Sequence, residues 1–102
     1  MVLVQILLPV FYNDGQQVEV ERFAEVRVTL TDRFGGVTAY LRTAAAGSWK
    51  RDDGTIDRDR MVMVEVSAAD LDRRWWRSYR ETLQRAFKQE VVLIRALQIE
   101  AL

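Results

Sequence analysis

The sequence predicts an α+β fold: a ferredoxin-like β-α-β-β-α-β plait, with a four-stranded antiparallel sheet and two helices on one face. Three observations predict it. Apolar runs open and close the chain, two segments of helical period lie between turn signals, and a strand–turn–strand unit separates those segments. Right-handed crossovers place both helices on the same side of the sheet, and the usual order puts the first and third strands in the centre. At 102 residues, positions 1–102 read as one domain.

Val2 to Val10 is a near-continuous apolar run with Pro9 near its end, the pattern of a strand covered on both faces. Tyr12-Asn13-Asp14-Gly15 is a turn cluster. Val18 to Phe34 alternates in part, but its length and the stop at Gly35-Gly36 favour a helix. On a helical wheel Val20, Phe23, Ala24, Val26, Val28, Leu30 and Phe34 fill one broad arc, opposite Glu21, Arg22, Glu25, Thr29, Asp32 and Arg33. Val37 to Trp49 is the second strand, bent at Ala44-Ala45-Ala46-Gly47. Asp52-Asp53-Gly54 turns the chain, and Ile56 to Val66 returns as the third strand. Ser67-Ala68-Ala69-Asp70 resembles a capping box and sets the start of the second helix, which reaches about Lys88. Its apolar stripe is Leu71, Trp75, Tyr79, Leu83 and Ala86, widened by Trp76 and Phe87. Its wet face is Arg73, Arg77, Arg80, Gln84 and Lys88. Glu90 to Leu102 is the last strand, again apolar on both faces.

Composition narrows the chemistry. Histidine and cysteine are absent, which excludes Ser-His-Asp and Cys-His catalysis, thiolate or imidazole metal sites, disulfides and thiol redox chemistry. No cofactor is expected. Fifteen Lys+Arg balance fifteen Asp+Glu, so no net charge draws the chain to nucleic acid or an anionic membrane, and neither is expected as a partner. The apolar start carries no basic leader and is too short for a span, so the expected location is cytoplasmic.

Arg33-Phe34-Gly35-Gly36-Val37-Thr38, Gly47-Ser48-Trp49, Gly54-Thr55-Ile56 and Phe87-Lys88-Gln89-Glu90 follow one another in that order. They resemble the signature of a small bacterial domain family of unknown function, of the form R-F-x-G-x-T, G-x-W, G-x-I and F-x-Q-E. The resemblance covers residues 13 to 95. It implies a ferredoxin-like fold and supplies no reaction.

Helices cover one face of such a plait, so the other face should be polar. Strands one and four break that rule. Their excess apolar surface predicts a homodimer, formed through the open sheet face or an edge strand. On that face the expected ligand or interface residues are Tyr40, Arg42, Met63 and Glu65, with Trp49 from the hairpin. Arg42 and Glu65 would make a structural ion pair at an interface or, beside Tyr40, an acid–base pair in a cleft. The charges of the hairpin from Trp49 to Arg60 nearly cancel, and its aspartates do not fit the calcium-loop spacing, so no metal is expected. The arginines of the second helix oppose its aromatics and read as a solvated face rather than a stacking surface for single strands. The functional expectation is a small dimeric plait that binds a small molecule or a protein partner without catalysis. The alternative is a cofactor-free enzyme with its site on the open sheet face.

Overall fold

The computed structural model describes the backbone of residues 1–36, 38–43 and 60–102, and the side chains of 1–36 and 61–102. The expected bend at 44–47, the hairpin turn, Trp49 and the metal-binding question at Asp53, Asp57 and Asp59 lie outside the described residues. The elements are β1 (Val2–Pro9), α1 (Val20–Phe34), β2 (Thr38–Thr43), β3 (Arg60–Ala68), α2 (Arg73–Ala86) and β4 (Leu93–Gln98). The sheet is antiparallel in the order β2-β3-β1-β4, so the first and third strands are central, as expected for a ferredoxin-like plait.

Side chains alternate across a strand, and β1 uses this to divide two environments. Val2, Val4, Ile6 and Leu8 are buried, whereas Leu3, Gln5, Leu7 and Pro9 are partly covered. The buried set joins Val64 and Val66 of β3 with Val26 and Leu30 of α1 and Trp76, Tyr79 and Leu83 of α2. Both helices therefore pack on one face. Each fully buried aliphatic side chain there contributes about 1.5–3 kcal/mol.

Between β1 and α1 the chain forms a short hairpin. Gly15 N–H donates to Tyr12 O at 2.9 Å, Tyr12 N–H to Gln16 O at 2.8 Å and Val18 N–H to Val10 O at 2.8 Å. Gly15, at φ 88°, takes the left-handed position that closes such a turn. Val18 is thus held by this hairpin, and α1 begins at Val20, after Glu19. At the other end Gly35, at φ 80°, donates to Thr31 O at 2.7 Å and stops the helix.

The buried stripe of α1 is narrower than the apolar arc of its sequence. Val26 and Leu30 are buried, with Phe23 and Phe34 partly buried beside them. Val20 and Val28 are exposed, at 74% and 60%. A single sheet layer covers a limited arc of a helix, and Val28 lies beyond it.

α2 does not start from the Ser67–Asp70 box. Ser67 is paired with Leu3 in the β1–β3 ladder, so it belongs to β3. Asp72 is the cap, accepting from Trp75 N–H at 3.1 Å, and its other carboxylate oxygen accepts from Arg33 at 3.1 Å. The later start turns the helix so that Trp76, Tyr79 and Leu83 face the sheet. Trp75 stands half-buried at the flank, edge-on to Phe34. The helix ends at Ala86. Lys88 N–H donates to Arg85 O at 3.3 Å and Gln89 N–H to Gln84 O at 2.9 Å, with Lys88 at φ 53°. This is a Schellman ending with lysine where glycine is usual.

Within the resembled F-x-Q-E step, Phe87 is fully buried. Gln89 bonds the Asn13 side chain at 3.2 Å, which ties the β1–α1 hairpin to the end of α2. Tyr12 donates to Glu19, and Lys88 lies 4.7 Å from the Tyr12 ring centre. Donation to Glu19, then burial, raises the Tyr12 phenol above its ordinary value; the same bond lowers the Glu19 carboxyl. Among the described residues, no helix is long and apolar enough to cross a membrane.

Candidate functional site

The face of the sheet away from the helices is organised in rows across the strands. One row places Thr38, Glu65, Gln5 and Arg95 side by side, from β2 through β3 and β1 to β4. Within it Gln5 Nε2 donates to Glu65 Oε2 at 2.7 Å, and Arg95 Nε donates to Gln5 Oε1 at 2.7 Å. A neutral amide thus links a carboxylate to a guanidinium across three strands. The rows on either side are largely apolar: Tyr40, Met63, Leu7 and Leu93 on one, Ser67, Leu3 and Leu97 on the other.

The expected residues fall into this pattern differently from the expectation. By register Tyr40, Arg42, Met63 and Glu65 share the open face, but Arg42 is opposite Met61 and Glu65 is opposite Thr38. Those two rows are four residues apart, about 13 Å along the strands. The fold does not make Arg42 and Glu65 cross-strand partners. Glu65 is hydrogen-bonded to Gln5 and through it to Arg95, two residues that sequence reasoning did not single out. The signal was present: Gln5 is the lone polar side chain in β1, and Arg95 is the lone charge in β4.

Nor is the open face uniformly open. Met63 is fully buried, while Leu93 and Leu97 are exposed at 47% and 44%. The accessible apolar surface lies on the β4 side.

A second feature lies where α2 passes the β4 edge. Here a cleft of about 250 Å³ is floored by Val4, Ile94 and Ala96, and Trp76 forms part of its wall. Arg73, Arg77 and Arg80 rim it from α2; Arg95 borders it from the β4 edge, its side chain turned to the open face where it bonds Gln5. The positions 73, 76, 77 and 80 recur at helical spacing, so one face of α2 builds the whole wall. Arg73, Arg77 and Arg80 are exposed and have no ion-pair partner among the described residues. Their placement is electrostatically unfavourable. Like charges one turn apart repel by about 0.2–0.5 kcal/mol per pair. A cation in the first turn, here Arg73, opposes the helix dipole by about 0.3–1 kcal/mol, and the first turn of α2 holds no acidic residue. The sequence reading took these arginines for a solvated face. Only the fold shows that they stand over an apolar floor supplied by β1 and β4.

Among the described residues, two buried polar groups of α2 have no hydrogen-bond partner: Trp76 Nε1 and the Tyr79 hydroxyl. Burial pushes the Tyr79 phenol up to about 12.

No family model and no curated protein matches the chain. Among solved structures it is similar to a phage SAM lyase in complex with S-methyl-5'-thioadenosine. Sequence identity is 14% and the TM-score is 0.63, and the match covers 95% of this chain and 80% of that one. The likeness shows the fold.

Proposed function

We propose that this chain is a small-molecule-binding domain of ferredoxin-like fold, with its ligand seated in the cleft between α2 and the β4 edge. The observation that carries the reading is the cleft itself: an apolar floor rimmed by convergent charged groups, the usual make-up of a ligand site. The phage enzyme supports it at the level of the fold, since that plait holds a nucleoside thioether. The reaction of that enzyme does not carry over at this identity. The reading is of a binding module, not a catalyst.

Titration of the chain with S-methyl-5'-thioadenosine, neutral nucleosides, carboxylates and organic phosphates, followed by tryptophan fluorescence, tests the reading. Trp76 in the cleft wall is the reporter. At least one class should give a saturable change that Ala96→Phe, which fills the floor, abolishes while the circular dichroism spectrum is kept. No saturable response from any class would end the proposal.

We further propose that the chain is a homodimer, with the second copy on the β4 side of the open face. Exposed Leu93 and Leu97 beside partly covered Leu3 and Leu7 support this reading. β4 is also a sheet edge, with one side of its backbone ladder unpaired.

A further inference from the structure

We infer that the cleft between α2 and β4 is selective for a compact organic phosphate: a dianionic head held by Arg73, Arg77 and Arg80, and a small apolar body lying on Val4, Ile94 and Ala96. The inference rests on the binding-site reading above and adds the ligand's chemical class.

Charge assigns the head group. Three guanidinium groups of α2 rim one cleft, and Arg73, Arg77 and Arg80 have no carboxylate in ion-pair range among the described residues. Arg73 stands in the first turn of α2, where the helix dipole also favours an anion, and Arg77 and Arg80 follow along the same helix face. Guanidinium forks match phosphate oxygens two at a time, which a lysine rim would not do. An arrangement that is unfavourable when empty and relieved by an anion is the local conflict expected at a functional site. A single negative charge would leave most of the rim uncompensated, so the head is a dianion.

The floor assigns the body. Val4, Ile94 and Ala96 offer apolar contact and no hydrogen-bonding side chain. The volume of about 250 Å³ lies below the range of about 300–1,000 Å³ common for drug-sized ligands. A ring or short alkyl group fits that space. A nucleic-acid strand would need a longer basic track, and the chain as a whole has no net charge to supply one.

The test uses the intact chain and four probes: phenyl phosphate, inorganic phosphate, benzyl alcohol as a neutral ring, and a twelve-residue oligothymidylate. Binding is followed by calorimetry and tryptophan fluorescence at fixed ionic strength. Phenyl phosphate should bind at least tenfold more tightly than either inorganic phosphate or benzyl alcohol. The double variant Arg77→Gln/Arg80→Gln should weaken it at least tenfold without lowering the melting temperature, because both side chains are exposed and their mutual repulsion is relieved. Ala96→Phe should weaken phenyl phosphate more than inorganic phosphate. Equal binding of benzyl alcohol and phenyl phosphate, both lost in Ala96→Phe, would overturn the anionic class and keep the cleft as a site. Binding of phenyl phosphate that neither variant changes would overturn the assignment to this cleft. Oligothymidylate binding tighter than phenyl phosphate, with steep salt dependence, would overturn the small-molecule ligand in favour of a nucleic-acid strand. Failure of every probe would overturn the phosphate class, and the wider titration above then decides the binding-site reading separately.

Discussion

Gln5 and Glu65 are hydrogen-bonded across the two central strands at 2.7 Å, and the same Gln5 amide accepts from Arg95 on the other side. The amide is the only side chain of β1 that can serve both neighbours. Its replacement by the isosteric methionine in Gln5→Met breaks both links. Hydrogen bonds to charged groups contribute roughly 1.5–3 kcal/mol when well formed, and solvent access to this row reduces that. A loss of about 1–2 kcal/mol is expected in urea unfolding of Gln5→Met. A loss within about 0.3 kcal/mol of zero would show that water replaces the row at no cost.

Asp72 joins the two helices, capping α2 through Trp75 N–H while accepting from Arg33 at the end of α1. The cap and the ion pair separate experimentally. Asp72→Asn keeps an oxygen for the cap and removes the charge, so it should cost a few tenths of a kcal/mol, as for an exposed pair. Asp72→Ala removes the cap as well and should cost about 1 kcal/mol more. Equal destabilisation by both variants would contradict the capping role.

How much of this was legible beforehand depends on which residues set the outcome. The element order, the central position of β1 and β3, and the antiparallel sheet followed from apolar runs and turn residues, which are local signals. The start of α2 was misplaced because Ser67 offers the same capping chemistry as Asp72, and only pairing with Leu3 commits it to β3. The apolar arc of α1 was drawn too wide because Val20 and Val28 are apolar yet lie outside what the sheet covers. At the candidate site the links of Glu65 to Gln5 and of Gln5 to Arg95 were not legible. The register, which sequence does not display, sets Glu65 beside Gln5 and Thr38, four residues from the row of Arg42. The arginine-rimmed cleft was invisible because its floor, Val4, Ile94 and Ala96, lies far along the chain from Arg73, Arg77 and Arg80.

Lys88 occupies the left-handed position of the Schellman ending of α2, at φ 53°. Lysine there costs backbone strain that glycine avoids, and its ammonium over Tyr12 offsets part of it. Comparing Lys88→Gly with Lys88→Ala removes the ammonium from both and isolates the backbone. The glycine variant should be more stable than the alanine variant by about 1 kcal/mol. A melting temperature several degrees higher is the readout, since about 1 kcal/mol corresponds to roughly 4–8 °C in a domain of this size. An alanine variant equal to or above the glycine variant would refute the strain.

Tyr79 makes stability depend on alkaline pH. Its buried phenol titrates near 12, against about 10 in the unfolded chain. Between those values the folded state binds the proton and the unfolded state does not. Stability from this group is therefore complete below pH 10 and declines as pH rises toward 12. Tyr79→Phe should flatten that decline. It also removes a buried hydroxyl that has no partner, so it should be neutral or mildly stabilising at pH 7. Chemical unfolding at a series of pH values measures both effects. A variant as alkali-sensitive as the parent would assign the decline to other groups.

In the proposed homodimer the apolar surface on the β4 side forms the interface. Leu93 and Leu97 lie two positions either side of Arg95 on one face of an edge strand, and Leu3 and Leu7 continue the surface on β1. Met63 on the same face is fully buried, so the proposed interface is drawn on the β4 side. Covering two such leucines in each copy contributes several kcal/mol at about 25 cal/mol per Å², which offsets part of the cost of association. Light scattering after size exclusion should give twice the chain mass at micromolar concentration. Leu93→Glu with Leu97→Glu should halve that mass while the circular dichroism spectrum is retained, because neither side chain belongs to the core between sheet and helices. A monomer for the parent chain would remove the dimer, and a dimer that survives both substitutions would place its interface elsewhere.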